Sequence, residues 1–151
     1  MYIRKVGKED KDVLKEIADN ILTPLYGDQT KAFNEWITGS GYKHAYCLEE
    51  EGNVSGFVSL KADKSKTYLK ISTLVVMPGY RNNGHGLELI RFAEKFARKL
   101  DYQQIIVTVS ETKDKSLRFF KNNNFFVVDK KKGKYQSGVA EYVLKKEIVW
   151  K

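Results

Sequence analysis

The sequence predicts an α/β fold: one mixed, mostly antiparallel central sheet of about seven strands, with helices on both faces. Three observations carry this. Strand-like segments between His44 and Met77 follow one another across the short turns Glu51-Gly52-Asn53 and Lys64-Ser65-Lys66, the spacing of antiparallel hairpins. A strand, an amphipathic helix and another strand then run from Thr67 to Val109, and a crossover of that kind makes its two strands parallel. Two more strands, from Phe125 to Asp129 and from Ala140 to Ile148, close the chain.

Each element has its own signal. Tyr2 to Val6 alternates and reads as a first strand. Asp10 is placed to cap a helix in which Val13, Leu14, Ile17 and Ile21 recur at helical spacing. That helix is expected to end before Pro24, because the residue ahead of a proline avoids helical dihedrals. A short second helix from about Gln29 to Ile37 stops at Gly39-Ser40-Gly41. The strands over His44–Glu50, Val54–Ala62 and Thr67–Met77 follow, the third being long and ending in the apolar run Leu74 to Met77. Leu89, Ala93, Phe96, Ala97 and Leu100 mark one face of a helix, and the β-branched run Gln104 to Val109 reads as a buried strand. Asp114 to Asn122 forms a short helix with Leu117 and Phe120 facing one way; Gly133 to Gly138 joins the closing strands. With no linker or repeat, residues 1–151 are expected to form a single domain.

Lys plus Arg number 27 against 19 Asp plus Glu, a net charge of +8. That excess suits an anionic partner, whether nucleic acid or a phosphate-rich cofactor, and equally a solvated basic surface. A polyamine is repelled on average, although Glu49, Glu50 and Glu51 form a local acidic run. No apolar run approaches the ~20 residues of a membrane span, and the charged, alternating N-terminus does not read as a signal peptide. Cys47 is the only cysteine, so no internal disulfide can form, and a reducing cytoplasm is the expected location. Within a predicted strand it reads as a small buried apolar residue. With His44 and His85 the only histidines, no metal site is expected.

The chemistry concentrates in Val75-Val76-Met77-Pro78-Gly79-Tyr80-Arg81-Asn82-Asn83-Gly84-His85-Gly86, between a strand and a helix start. The first helical turn leaves N–H groups unpaired and carries about half a positive charge. Gly84 and Gly86 allow close backbone approach, and Arg81 adds a fork suited to phosphate oxygens. The dinucleotide fingerprint fails on spacing, since Glu88 and Leu89 follow where its third glycine is due. The Walker pattern fails because Gly86 is followed by Leu87.

Arg81-Asn82-Asn83-Gly84-His85-Gly86 resembles the R/Q-x-x-G-x-G/A motif of the GCN5-related N-acetyltransferases. Val109 to Lys113 and Ser116 to Phe125 resemble that family's strand–helix–strand block, often ending F-Y-x-x-x-G-F. The element order is similar along nearly the whole chain. The resemblance implies acetyl-coenzyme A as cosubstrate and a small-molecule or peptide amine as acceptor, attacked directly. It implies a bulged long strand that splays from its neighbour, with pantetheine lying along the backbone of Leu74, Val75 and Val76. The pyrophosphate is then held by backbone from Arg81 through Asn82, Asn83, Gly84 and His85 to Gly86, with Lys113, Phe120 and Lys121 on the other side of the cofactor. The helices between about Asp10 and Ile37 and the final hairpin wall the acceptor side. A homodimer is left open; nucleic acid and membrane are not expected partners.

The departures bear on mechanism. Lys113 stands where the family often has Asn, and a lysine accepts no hydrogen bond. Phe120 replaces a Tyr that protonates the leaving thiolate, and Ser72 replaces a Glu base on the long strand. Asn124 replaces Gly and tolerates left-handed dihedrals. Glu111, just past a strand bordering the gap, is the candidate base; a solvated loop carboxylate is the plain reading of the same residue. His85 is expected as a loop side chain whose backbone does the binding. Lys130 to Lys134 is expected as a solvated hairpin, and Tyr135 and Tyr142 as sheet residues. A non-catalytic acyl-coenzyme A-binding module is the alternative to the enzyme.

Overall fold

The structure, a computed structural model, describes residues 1–132 and 138–148. Lys134 and Tyr135 therefore lie outside the described residues. The strands are β1 (Tyr2–Lys5), β2 (Lys43–Glu50), β3 (Asn53–Lys61), β4 (Tyr68–Val76), β5 (Gln104–Ser110), β6 (Phe126–Lys132) and β7 (Ala140–Glu147). They form one seven-stranded sheet in the order β1-β2-β3-β4-β5-β7-β6. Every neighbouring pair is antiparallel except β4 and β5, as the crossover between them requires. The helices are α1 (Lys11–Glu16), α2 (Thr23–Tyr26), α3 (Thr30–Thr38), α4 (His85–Lys99) and α5 (Asp114–Asn122). None is long and apolar enough to cross a membrane.

Alternation along the strands creates two cores. On one face, Ala45, Cys47, Phe57 and Val75 receive Leu14, Ile17, Leu22 and Trp36 from the N-terminal helices. On the other, Val58, Leu60, Leu69, Ile71, Ile105 and Val107 pack against Leu89, Ile90, Ala93 and Ala97 of α4. Leu117 and Phe120 of α5 join this second core. Each such buried Leu, Ile or Phe contributes about 1.5–3 kcal/mol, enough to hold the short N-terminal helices on the sheet.

Two expectations near the N-terminus are corrected. Asp10 does not cap α1 with its side chain. Its carboxylate instead accepts hydrogen bonds from Arg4 Nη1 and Nη2, both at 2.7 Å, and from the Gly7 N–H at 2.8 Å. Asp10 is 2% exposed, and Arg4 also donates to Glu49 at 2.8 Å, so one guanidinium ties β1 to β2 and to the helical entry. The helix also does not stop at Pro24. A π-helical turn, Ile17–Leu22, precedes α2, and Pro24 lies inside α2. The wider turn gives the proline ring room that an α-helical carbonyl four residues back denies it. The Thr23 hydroxyl and N–H both donate to the Ala18 carbonyl there.

The Arg4 guanidinium holds the Asp10 carboxyl below the usual carboxylate range; burial opposes this and the Gly7 N–H supports it. A depressed folded-state pKa stabilises above the unfolded value of about 3.9 and is lost as pH falls through the folded value. Urea unfolding should therefore show wild-type stability falling more steeply below about pH 4 than that of Asp10→Asn. At neutral pH that variant should be less stable by about 3 kcal/mol.

Candidate functional site

The site is created by a mismatch within β4. Ser59 faces Thr73 and Leu60 faces Ile71, so Ser72 is an extra residue bulged out of the β3–β4 ladder. β4 pairs with β5 only from Tyr68–Gln104 to Ile71–Val107. Beyond that point β4 continues to Val76 along β3, while β5 continues to Ser110 along β7. The two strands part in a V with its apex at Ser72. The Met77 N–H donates to Ser55 of the β3 side at 2.9 Å. Alternation from there turns the backbone groups of Leu74 and Val76 toward the open edge, and those of Val75 toward β3.

At the mouth of the V the chain makes a tight turn. The Tyr80 N–H donates to the Met77 carbonyl at 3.0 Å around Pro78 and Gly79, whose φ of 94° only glycine adopts readily. Arg81 Nε donates to the Val76 carbonyl at 3.1 Å, bracing the open edge. Asn82 and Gly84 are left-handed, with φ of 66° and 82°. The first helical bond of α4 runs from Glu88 N to Gly84 O, so the N–H groups of Gly84, His85, Gly86 and Leu87 have no partner within the helix. Those donors, with the positive end of a 15-residue helix behind them, make a terminus of the kind that suits an anion. A Cβ on Gly84 would meet nothing within 4 Å, so this position opens outward. Gly86 differs: a Cβ there would come within 2.9 Å of the Phe119 ring, so its missing side chain lets α5 close on α4.

His85 is not a loop side chain. It is 2% exposed, its Nε2–H donates to Glu50 Oε2 at 2.6 Å, and its ring meets Tyr80 edge-on at 5.4 Å. The pair fastens the start of α4 to the end of β2, a tie that no sequence spacing signals. Glu49 and Glu50 are thus committed to Arg4 and His85 and form no acidic patch. His44 packs on Phe96 at 5.3 Å.

Beyond the gap, Glu111 donates its N–H to Ala140, and its carboxylate lies 3.5 Å from Lys130 of β6. Lys130 is two strands away from β5 on the side opposite β4, and both side chains of the pair are partly exposed. Lys113 precedes α5, and Lys121 is exposed on it. Phe120 is 5% exposed, packed at 5.2 Å against Phe125 and beside Phe119. Asn124 takes φ of 69°, the left-handed conformation expected of it. Cys47 is fully buried, and burial pushes its thiol up to about 12, consistent with a packing role. Lys130, Lys131 and Lys132 belong to β6 rather than to a turn, and Tyr142 is a residue of β7 with Lys130 over its ring. Two surface depressions, one beside Tyr2, Leu48 and Phe92 and one beside Tyr42, His44 and Asp63, lie away from the V.

Comparison with known proteins agrees with this geometry. The model of the acetyltransferase (GNAT) family matches residues 12–125. An uncharacterized N-acetyltransferase of Bacillus subtilis (strain 168), YlbP, is 30% identical over 93 residues, covering 62% of this chain and 54% of that protein. The chain thus spans about half the length of the curated relatives it matches. Among solved structures, an aminoglycoside 6'-N-acetyltransferase complexed with coenzyme A superposes with TM-score 0.82 at 17% identity, over 100% of this chain and 99% of that one. Arabidopsis thaliana NAA60 in complex with acetyl-CoA superposes with TM-score 0.80 at 19% identity, over 97% of this chain and 98% of that one. At these identities the two structures share the fold.

Phe120→Tyr adds a hydroxyl to a packed core position, so it should lower stability by about 1–3 kcal/mol, read as a lower melting temperature. An unchanged melting temperature would instead place that ring edge in the open V.

Proposed function

Because the chain belongs to the acetyltransferase (GNAT) family, we propose that it transfers an acetyl group from acetyl-coenzyme A to a primary amine by direct attack. The observation that carries this reading is the bulge at Ser72 with the splay beyond it, joined through five residues of open strand edge to the anion-binding start of α4. About 16 Å of extended strand separates the two ends. Phosphates held at Gly84 to Leu87 leave the pantetheine arm to run down the open edge, bonding to Leu74 and Val76 as an added strand would. The thioester then reaches the bulge, where the N-terminal helices border the sheet. Lys113, just ahead of α5, and the exposed Lys121 on it would meet the cofactor's outer part.

Transfer needs three things from the protein. Holding amine and thioester together removes the entropy of encounter, a substantial part of the barrier. An N–H on the open edge of β4 polarises the thioester carbonyl, stabilising the oxyanion of the tetrahedral intermediate. The attacking amine must be neutral, and the thiolate, with an ordinary pKa near ~8.5, departs without an obligatory acid. Ser72 and Phe120, at the two places where this family often carries proton-transfer groups, favour the second reading: a module that binds acyl-coenzyme A without turning it over.

Gly84→Glu should weaken coenzyme A binding at least a hundredfold by calorimetry, because it sets a carboxylate where the phosphate belongs. A folded variant with unchanged affinity would refute the anion site. Acetyl-coenzyme A supplied with a panel of amines and peptides should release free thiol in an acceptor-dependent manner. Tight binding with no release across the panel would establish the non-catalytic module.

A further inference from the structure

At the apex of the V stands a row of like charges. Lys43 of β2 is the ladder partner of Lys61 on β3, and Lys61 is the partner of Lys70 on β4, two residues before Ser72. Like charges directly opposite one another destabilise a sheet, and here three cross three adjacent strands. Lys43 is half-buried, and its Nζ donates to Ser72 Oγ at 2.9 Å, so its ammonium touches the bulge itself. Among the described residues, no carboxylate lies within ion-pair distance of it.

Its charged surroundings are one-sided. Burial holds the Lys43 ammonium below the usual lysine range; Glu35 of α3 opposes this, while Lys61, Lys70 and Lys31 add to it. A second unused polar group lies on the same face: Ser59, two residues along β3 from Lys61 and opposite Thr73, is fully buried with its hydroxyl unpartnered. A cation drawn out of water without a counter-charge is costly, and an arriving anion relieves that cost. A polycationic acceptor would raise it.

We propose that the acceptor is a compact primary amine carrying its own anionic group, a carboxylate or phosphate, which docks on Lys43 at the β4 bulge. This rests on the acetyltransferase reading above. Compactness follows from position. Lys43 touches the residue at the apex where the thioester arrives, so the anion and the attacking nitrogen can be only a few bonds apart. The anion occupies the place where Lys43 now meets only a hydroxyl. The amine is left free to face the open edge of β4.

The test pairs acceptors with and without the anionic group: L-amino acids against their amides, and phosphoethanolamine against ethanolamine, with spermidine as the polycation. Because an amide also lowers the pKa of the neighbouring amine, rates are compared per neutral amine. Thiol release from acetyl-coenzyme A gives kcat/KM, and calorimetry on the coenzyme A complex gives affinity. At least one anionic amine should exceed its neutral counterpart tenfold or more, and the two pairs distinguish carboxylate from phosphate. Lys43→Met should erase that ratio and Lys43→Arg should keep most of it, with melting temperatures confirming that both variants fold. Neutral or polycationic amines turned over preferentially, or a ratio that Lys43→Met leaves intact, would overturn the acceptor class while the acetyltransferase reading stands. No thiol release from any amine, with anionic amines still binding more tightly than their neutral counterparts, would end the transferase reading and retain the anion site. Absence of both turnover and preferential binding overturns the inference as well.

Discussion

The geometry of the candidate site depends on β4 being unable to keep both its neighbours. One extra residue at Ser72 shifts the register against β3; beyond it β4 stays paired with β3 but no longer with β5, which stays with β7. A strand edge left open in the middle of a sheet would normally be costly, because its backbone groups lose their partners. Here α4 and the N-terminal helices hold the sheet from both faces, so the parting is confined to a V. A ligand able to bond like a strand can fill it. The crossover makes this arrangement possible: the strands it joins are parallel, so both run toward the same mouth, where α4 begins.

Charge is distributed to the same end. Several acidic residues are used internally. Asp10 and Glu49 hold Arg4, Glu50 holds His85, Glu111 meets Lys130, and Glu94 meets Lys146. These ties fix the first strand, the start of α4 and the outer strands. Among the described residues, Lys43 has no carboxylate within ion-pair distance, and Arg81 is exposed at the turn before α4.

The legibility of the site varies with the range of the interactions involved. Asn124 was readable because the left-handed backbone it adopts is a local requirement with few residue solutions. The boundaries of α5 were readable from nearby residues. Asp10 was misread because a helix-capping residue and a buried partner for an arginine on another element look alike in sequence. Pro24 was misread because the π-turn that accommodates it leaves no mark in the pattern. Glu111, close to the gap along the chain, has an ion-pair partner, a lysine 19 positions later across two strands, that no local pattern reveals. Gly86, grouped with Gly84 by spacing, faces Phe119 of another helix.

The amino-acid sequence by itself determined the order of elements, the sheet content, the two-faced helix cover and the strand–loop–helix that presents free N–H groups to an anion. These follow from periodicity, turn chemistry and the inability of a helix start to satisfy its own donors, all local effects. Only the tertiary structure decided where β4 leaves β5, that Lys43, Lys61 and Lys70 stand abreast, and that His85 is buried on Glu50. Strand register and side-chain pairing across strands arise from contacts between residues far apart in the chain, and no local pattern contains them.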